Sequence, residues 1–271
     1  MIHVPLRHTG YIEHFMNKRK LPRDREEDGR MSSAMAIARI GMRGHASPSI
    51  LAPHLDDGRK TTMSRLDGYD WESVAGDLDN RGNAILGGLL TRDECESISG
   101  LYPDETHFRS HVVMARHGFG RGEYRYFRYP LPALVQGLRT ALYPRLAGIA
   151  NRWQERLGNA RHYPSAHAEY LALCHAAEQR RPTPLLLQYS PGDYNCLHQD
   201  LYGDLVFPLQ AAVLLSEPDH DFTGGEFVLT EQRPRMQSRV EVVPLRQGDA
   251  VIFAVNERPV QIGRASCRER V

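Results

Sequence analysis

Lysine is nearly missing from this chain. Of its 34 basic residues only Lys18, Lys20 and Lys60 are lysines, and from Met63 onward every Lys/Arg position is Arg. The net charge of +1 provides no global field that would draw the protein to a polyanion. Cysteine is sparse: Cys95, Cys174, Cys196 and Cys267 sit at spacings that suit neither a zinc site nor a disulfide framework. Cys95 and Cys174 fall on apolar helix faces and read as core. No apolar run approaches the roughly 18 residues that a membrane helix needs. The opening residues Met1–Leu6 lack the order of a secretory signal. These absences lead to the expectation of a cytoplasmic protein with no membrane partner. What is present fits a soluble globular chain: 41% hydrophobic and 25% charged residues, in a length that can bury a sizeable core.

Residues 1–62 differ from the rest. They hold 11 Lys and Arg against 7 Asp and Glu, with Pro, Gly and Ser scattered through them and no sustained period. Helical potential is limited to Met31–Ile40. The stretch reads either as a disordered basic arm or as sequence upstream of a true start at Met63, and no function is assigned to it.

From 63 to about 180 the pattern is that of a helical support region with a few strands. Asp70 can cap a helix carrying Trp71, Val74, Ala75 and Leu78 on one face, closed by Gly82. Asn83–Leu90 reads as a strand, and Thr91 with Glu94 forms a capping box for a second helix. Phe108–Arg116 and Glu123–Tyr129 read as strands around His117–Gly122, a Gly-rich stretch that reads as a mobile loop or a hairpin connection, without the Lys of a P-loop. Arg121, Arg125 and Tyr126 belong to a run in which basic and aromatic residues interleave, a composition that can hold phosphates and stack bases. The same run also suits an amphipathic strand with Arg on its wet face. Leu131–Leu157 is helical with a break or kink expected at Pro144. Ser165 is placed to cap a helix over Ala166–Gln179 with Tyr170, Leu173 and Cys174 inward.

Residues 181–261 change character. Leu185–Leu187, Phe207–Leu215, Phe227–Leu229, Val240–Leu245 and Ala250–Val255 are short apolar strands separated by Gly, Pro and Asp turns, the spacing of a sandwich or barrel. Between the first two lies His198-Gln199-Asp200. In an extended chain residues i and i+2 face the same way, so an imidazole and a carboxylate project side by side. These are two of the three donors in a 2-His-1-carboxylate set for non-haem Fe(II). Alone, a His and an Asp two apart are more often part of a solvated loop.

Taken together, Tyr189, Pro191-Gly192-Asp193, His198 with Asp200, Thr223–Phe227 and Gly248–Phe253 resemble the Fe(II)/2-oxoglutarate dioxygenases of the prolyl-4-hydroxylase-like branch. From about Trp71 the chain is similar to a bacterial group of such oxygenases predicted to act on nucleic acids. The resemblance covers roughly residues 69–261 and implies an α+β fold: a double-stranded β-helix (jelly-roll) core with N-terminal supporting helices. It implies Fe(II) as metal, held by His198, Asp200 and a further His, with no catalytic residue beyond the metal ligands. It also implies 2-oxoglutarate and O2 as co-substrates, and a Tyr189 hydroxyl near 2-oxoglutarate. A core Tyr at a strand end is the equal alternative for Tyr189. Gln199 and Asn195 are candidate groups behind the ligands.

The further His, and the basic residue expected about ten positions after it for the 2-oxoglutarate carboxylate, are not found downstream; His220 reads as a loop residue. Ile262–Val271 abandon the strand pattern and resemble translated adapter sequence, so the core reads as C-terminally incomplete after Gln261. The expectation for the chain as written is weak Fe(II) binding without turnover. Three functions follow: oxidative demethylation or hydroxylation of nucleic-acid bases, hydroxylation of a protein side chain such as proline, or a catalytically dead jelly-roll binding module.

Overall fold

The structure is a computed structural model and describes residues 35–40, 62–201, 203–231 and 237–259. In chain order the elements are β1 (Met35–Ile40), α1 (Thr62–Asp67), α2 (Trp71–Arg81), β2 (Asn83–Leu86), α3 (Arg92–Ser99) and β3 (Phe108–Val113). There follow β4 (Gly120–Arg121), β5 (Glu123–Phe127), α4 (Ala133–Leu157), α5 (His167–Ala176), β6 (Leu185–Tyr189) and β7 (Tyr194–Asn195). The chain then runs through β8 (Leu209–Leu214), β9 (Phe227–Glu231), β10 (Arg239–Val243) and β11 (Ala250–Ala254). The fold is mixed α/β.

Caps set both ends of α2 and the start of α3. Asp70 accepts hydrogen bonds from the Glu72 and Ser73 amides, and Gly82 closes α2 in the left-handed region with its amide bonded to Leu78 O. Thr91 and Glu94 form the full reciprocal box on α3. The expected break at Pro144 does not divide α4, which is assigned as one helix from Ala133 to Leu157. A buried face of Val135, Leu138, Leu142, Leu146, Ile149 and Trp153 holds it on the core, and packing outweighs one lost backbone bond. Trp153 Nε1 and Arg156 both donate to Asp79, tying α4 to α2. Ser165 does not cap α5: Ala166 occupies the cap without a side-chain bond. Tyr170 and Cys174 are buried as expected, whereas Leu173 is exposed. The i, i+3, i+4 spacing places all three on one side of the helix, and Leu173 falls at the solvent edge of that side.

The main sheet has seven strands in the order β2-β11-β8-β1-β6-β5-β3. Strands β11, β8 and β2 pair antiparallel, as do β6, β5 and β3. Between these two groups lies β1, parallel to both β6 and β8. The local sequence suggests helical potential across Met31–Ile40, yet Met35–Ile40 is a strand. The reason is tertiary: β6 and β8 each present a backbone edge that must be satisfied, and an extended segment satisfies both. The remainder of 1–61 and residues 260–271, including the predicted adapter-like tail, lie outside the described residues.

The two faces of the sheet have different partners. Leu86, Leu186, Leu209, Ala211, Val213, Ala250 and Ile252 join the helices in the principal core. The opposite face carries Leu185, Leu187, Tyr189, Ala212, Leu214, Val251 and Phe253. The β9–β10 hairpin covers part of it, with Phe227 edge-on to Phe253 at 5.3 Å between ring centres. Gln210 shares this second face by alternation along β8. No helix among the described residues is long and apolar enough to cross a membrane.

Candidate functional site

The site grows out of the end of β6. Ser190–Asp193 form a side-chain-locked turn: the Ser190 amide donates to Asp193 Oδ2 at 2.8 Å, and the Asp193 amide donates to Ser190 O at 2.9 Å. The chain returns as β7, which pairs with β4, with Gly120 opposite Asn195 and Arg121 opposite Tyr194. This close seam explains the Gly-rich stretch. Gly120 sits at φ 118°, and a Cβ there would run into Tyr194 O. A Cβ on Gly122 would lie 2.6 Å from the Tyr189 ring. Both positions require glycine, and 117–122 is a hairpin connection strapped onto the strand that leads to the site.

Beyond β7 the chain is irregular. His198 and Asp200 lie on a non-strand segment, so their alignment does not come from a sheet ladder as the i, i+2 argument supposes. It comes from specific bonds. Cys196 N donates to Phe119 O at 2.9 Å. His198 Nδ1 is 2.8 Å from Cys196 O. A carbonyl only accepts, so Nδ1 carries the proton. In the neutral ring the lone pair is then on Nε2, which faces Asp200 Oδ1 at 3.4 Å. The other carboxylate oxygen, Oδ2, accepts from Gln210 Nε2 at 3.0 Å. Both side chains keep a partly open side, at 36% exposure for His198 and 31% for Asp200.

The electrostatics are those of a coupled pair. Hydrogen bonding to Asp200, aided by its charge, raises the His198 pKa against the opposing effect of burial. Burial pushes Asp200 up, but hydrogen bonds from His198 and Gln210, with the His198 charge, outweigh it and hold the carboxyl below the usual range. Protonated, His198 forms an ion pair with Asp200. A metal ion would replace the proton on Nε2.

Donor chemistry tests the fit to Fe(II). A His Nε2 and a carboxylate oxygen, 3.4 Å apart and each oriented from behind by a hydrogen bond, suit adjacent positions on a hard-to-borderline divalent ion. No cluster of three or more His, Cys, Asp or Glu able to hold a metal forms among the described residues. His220 is turned to Asp221, with Nδ1 3.0 Å from Oδ1, in an exposed turn. Tyr189 offers a second test. Its hydroxyl is buried beside Asn195 and makes no well-formed hydrogen bond among the described residues. Burial raises its pKa strongly, with Asn195 pulling the other way. A buried, poorly satisfied donor of this kind suits a ligand oxygen.

The remaining predicted residues divide. Arg121 is exposed on β4, beside the strand that leads to His198. Arg125 is drawn into packing instead. Its guanidinium lies 4.9 Å over the Tyr102 ring and 5.8 Å over Phe108, and pairs with Glu105 at 3.4 Å. The Tyr126 ring is covered by Arg109 at 4.4 Å and meets Tyr124 edge-on. Asn195 is buried in β7, and Gln199 reaches Asn256 at 3.4 Å. Asn256 borders a pocket between the ends of β9, β10 and β11, lined also by Arg81, Arg239 and Arg258. Two of those arginines are already paired, Arg81 with Glu241 and Arg258 with Glu231.

Gln210 is the residue that sequence reasoning missed. Its signal was available: a single amide inside Leu209–Leu214, a strand whose every residue is buried. A buried polar group in such a run needs a partner, and that partner is Asp200.

Comparison with known proteins gives this arrangement a class, that of oxygenases. Residues 122–271 match the Oxygenase-NA family, described as an oxygenase catalysing oxidative methylation of damaged DNA, and the protein belongs to that family. Two uncharacterized proteins of Mycobacterium tuberculosis, from strains CDC 1551 / Oshkosh and H37Rv, are each 49% identical to it over 138 residues. That alignment takes in 51% of this chain and 59% of theirs, so the chain spans about six tenths of those relatives. No solved structure matches.

Proposed function

We propose that this protein is an Fe(II)- and 2-oxoglutarate-dependent oxygenase that hydroxylates or oxidatively demethylates a nucleic-acid base. The observation that carries the proposal is the His198–Asp200 pair, in which Cys196 O and Gln210 Nε2 turn Nε2 and a carboxylate oxygen to a common point. His198 and Asp200 would hold the metal, and a third donor would come from outside the described residues. The buried hydroxyl of Tyr189 would donate to a carboxylate oxygen of 2-oxoglutarate. The bound iron and co-substrate would supply oxidation of a C–H bond by O2, coupled to loss of CO2 from 2-oxoglutarate and release of succinate. This chain's residues orient the metal, bind the co-substrate and keep water off one side. The two-layer arrangement of the sheet and the β9–β10 hairpin supports the double-stranded β-helix reading of the core.

One observation favours a second reading. With only His198 and Asp200 brought together among the described residues, the chain would be a binding module without turnover. An assay of succinate release with Fe(II), 2-oxoglutarate and a methylated oligonucleotide separates the two. Succinate release that depends on both His198 and Asp200 supports the oxygenase. Metal binding without succinate under any substrate supports the module.

A further inference from the structure

We propose that the strap from Arg116 to Arg121 is a base-stacking platform for single-stranded nucleic acid at the mouth of the His198–Asp200 site. The inference rests on the nucleic-acid reading above and names the residues that would receive the strand.

The Phe119 ring is 45% exposed, a large apolar group that water does not favour. The exposed His117 ring stacks on it, with ring centres 5.3 Å apart and planes 23° apart. Neither ring is on a loose tip. The amides of His117 and Phe119 both donate to the carbonyl of Met114, a fully buried residue, and the Met114 amide donates to Gly122 O. Phe119 O in turn accepts from Cys196 N, and it is Cys196 O that orients the His198 imidazole. The platform and the proposed metal ligand therefore hang from the two sides of one residue. Leu197 and Leu201, which flank the ligand pair, are themselves 40% and 44% exposed.

Charge completes the pattern. Arg116 and Arg121 bracket the stacked rings. Both are exposed and form no ion pair with a carboxylate among the described residues, unlike Arg125. Flat exposed rings between exposed guanidinium groups match a strand whose bases are unstacked and whose phosphates lie alongside. A folded peptide offers no comparable repeat of planar faces and anions. The backbone bonds of the strap hold the rings in place before the strand arrives.

The test is fluorescence anisotropy of a short fluorescein-labelled oligodeoxynucleotide, single-stranded or duplex, titrated with the full chain over a range of salt. The wild type should prefer the single strand. Phe119→Ala should weaken binding by about 5- to 150-fold, the equivalent of one lost base stack. Phe119→Leu should weaken it comparably, and Phe119→Trp should retain affinity. Arg121→Gln should reduce the salt slope by about 0.7, one phosphate contact on a single strand. The replaced rings are exposed, so thermal melting should leave all variants near the wild type; if Phe119→Ala melts early, the Leu and Trp pair carries the test. A wild type that binds the single strand while both Phe119→Ala and Phe119→Leu bind as well as it does overturns the platform and leaves the nucleic-acid reading standing. Equal affinity for duplex and single strand overturns stacking as the mode. A wild type that binds a peptide but no oligonucleotide overturns both.

Discussion

Gln210→Leu isolates what a single buried amide does for the site. The side chain is 4% exposed, and its Nε2 sits 3.0 Å from Asp200 Oδ2. Leucine has a similar volume and suits a strand whose neighbours Leu209 and Ala211 are buried. The substitution therefore removes the hydrogen bond while sparing the packing. A hydrogen bond to a charged group contributes about 1.5–3 kcal/mol when both partners are dry. Asp200 is not dry: with 31% of its side chain exposed, water replaces part of the lost bond. The lower end, about 1.5 kcal/mol, is the expectation, and it corresponds to roughly tenfold in an equilibrium constant. The penalty should fall on the metal-bound state, because a carboxylate released from Gln210 samples orientations that do not coordinate. The assay is isothermal titration of wild type and variant with Mn(II), paired with thermal melting. The expected result is about tenfold weaker Mn(II) binding and a melting temperature within a few degrees of wild type. Unchanged Mn(II) affinity would refute the argument that Gln210 positions Asp200. A collapsed melting temperature would show that the residue serves the fold instead.

Other outcomes follow from the same structure. His167 is buried against Tyr143, and burial with the Arg139 charge lowers its pKa to about 4. Below about pH 6.5 the unfolded chain takes up a proton that the folded one refuses, so stability is full above that pH and is lost as pH falls toward 4, by at most about 3 kcal/mol. His167→Phe should flatten this part of the acid-denaturation curve; an unchanged difference in stability between pH 7 and pH 4.5 would count against it. Gly120→Ala puts a methyl group into Tyr194 O at a φ of 118°, and should cost about 3 kcal/mol and lower the melting midpoint by roughly 6 °C or more; a wild-type melt would contradict the tight β4–β7 seam. Arg125→Ala should destabilise by about 1–2 kcal/mol through loss of its ring and Glu105 contacts, while leaving the salt slope of oligonucleotide binding untouched. A reduced slope would return Arg125 to the substrate surface.

How far the sequence carries the fold depends on how local each signal is. The caps at Asp70 and Thr91, the closing Gly82 and the apolar strands from Leu185 to Ala254 are set by neighbours within a few residues, and all are where the pattern predicts. Met35–Ile40 is not local. Its six residues suit helix or strand, and only the edges of β6 and β8, some 150 residues away, decide. Arg125 was illegible for the same reason: alternating Arg and Tyr look alike whether the Arg meets phosphate or the Tyr102 ring, and Tyr102 comes from a distant turn. At the site the spacing of His198 and Asp200 was readable, and so was the turn at Ser190–Asp193. The device that aligns the pair was not, because Cys196 O contributes through its backbone and Gln210 through a sheet register that no short motif encodes.

The most direct test of the account is anaerobic titration of the full chain with Fe(II), with and without 2-oxoglutarate, for wild type, His198→Ala and Asp200→Ala. The predicted result is saturable binding of one Fe(II) per chain, strengthened by 2-oxoglutarate and abolished in both variants. Binding that survives either substitution, or no saturable binding in the wild type, would contradict it.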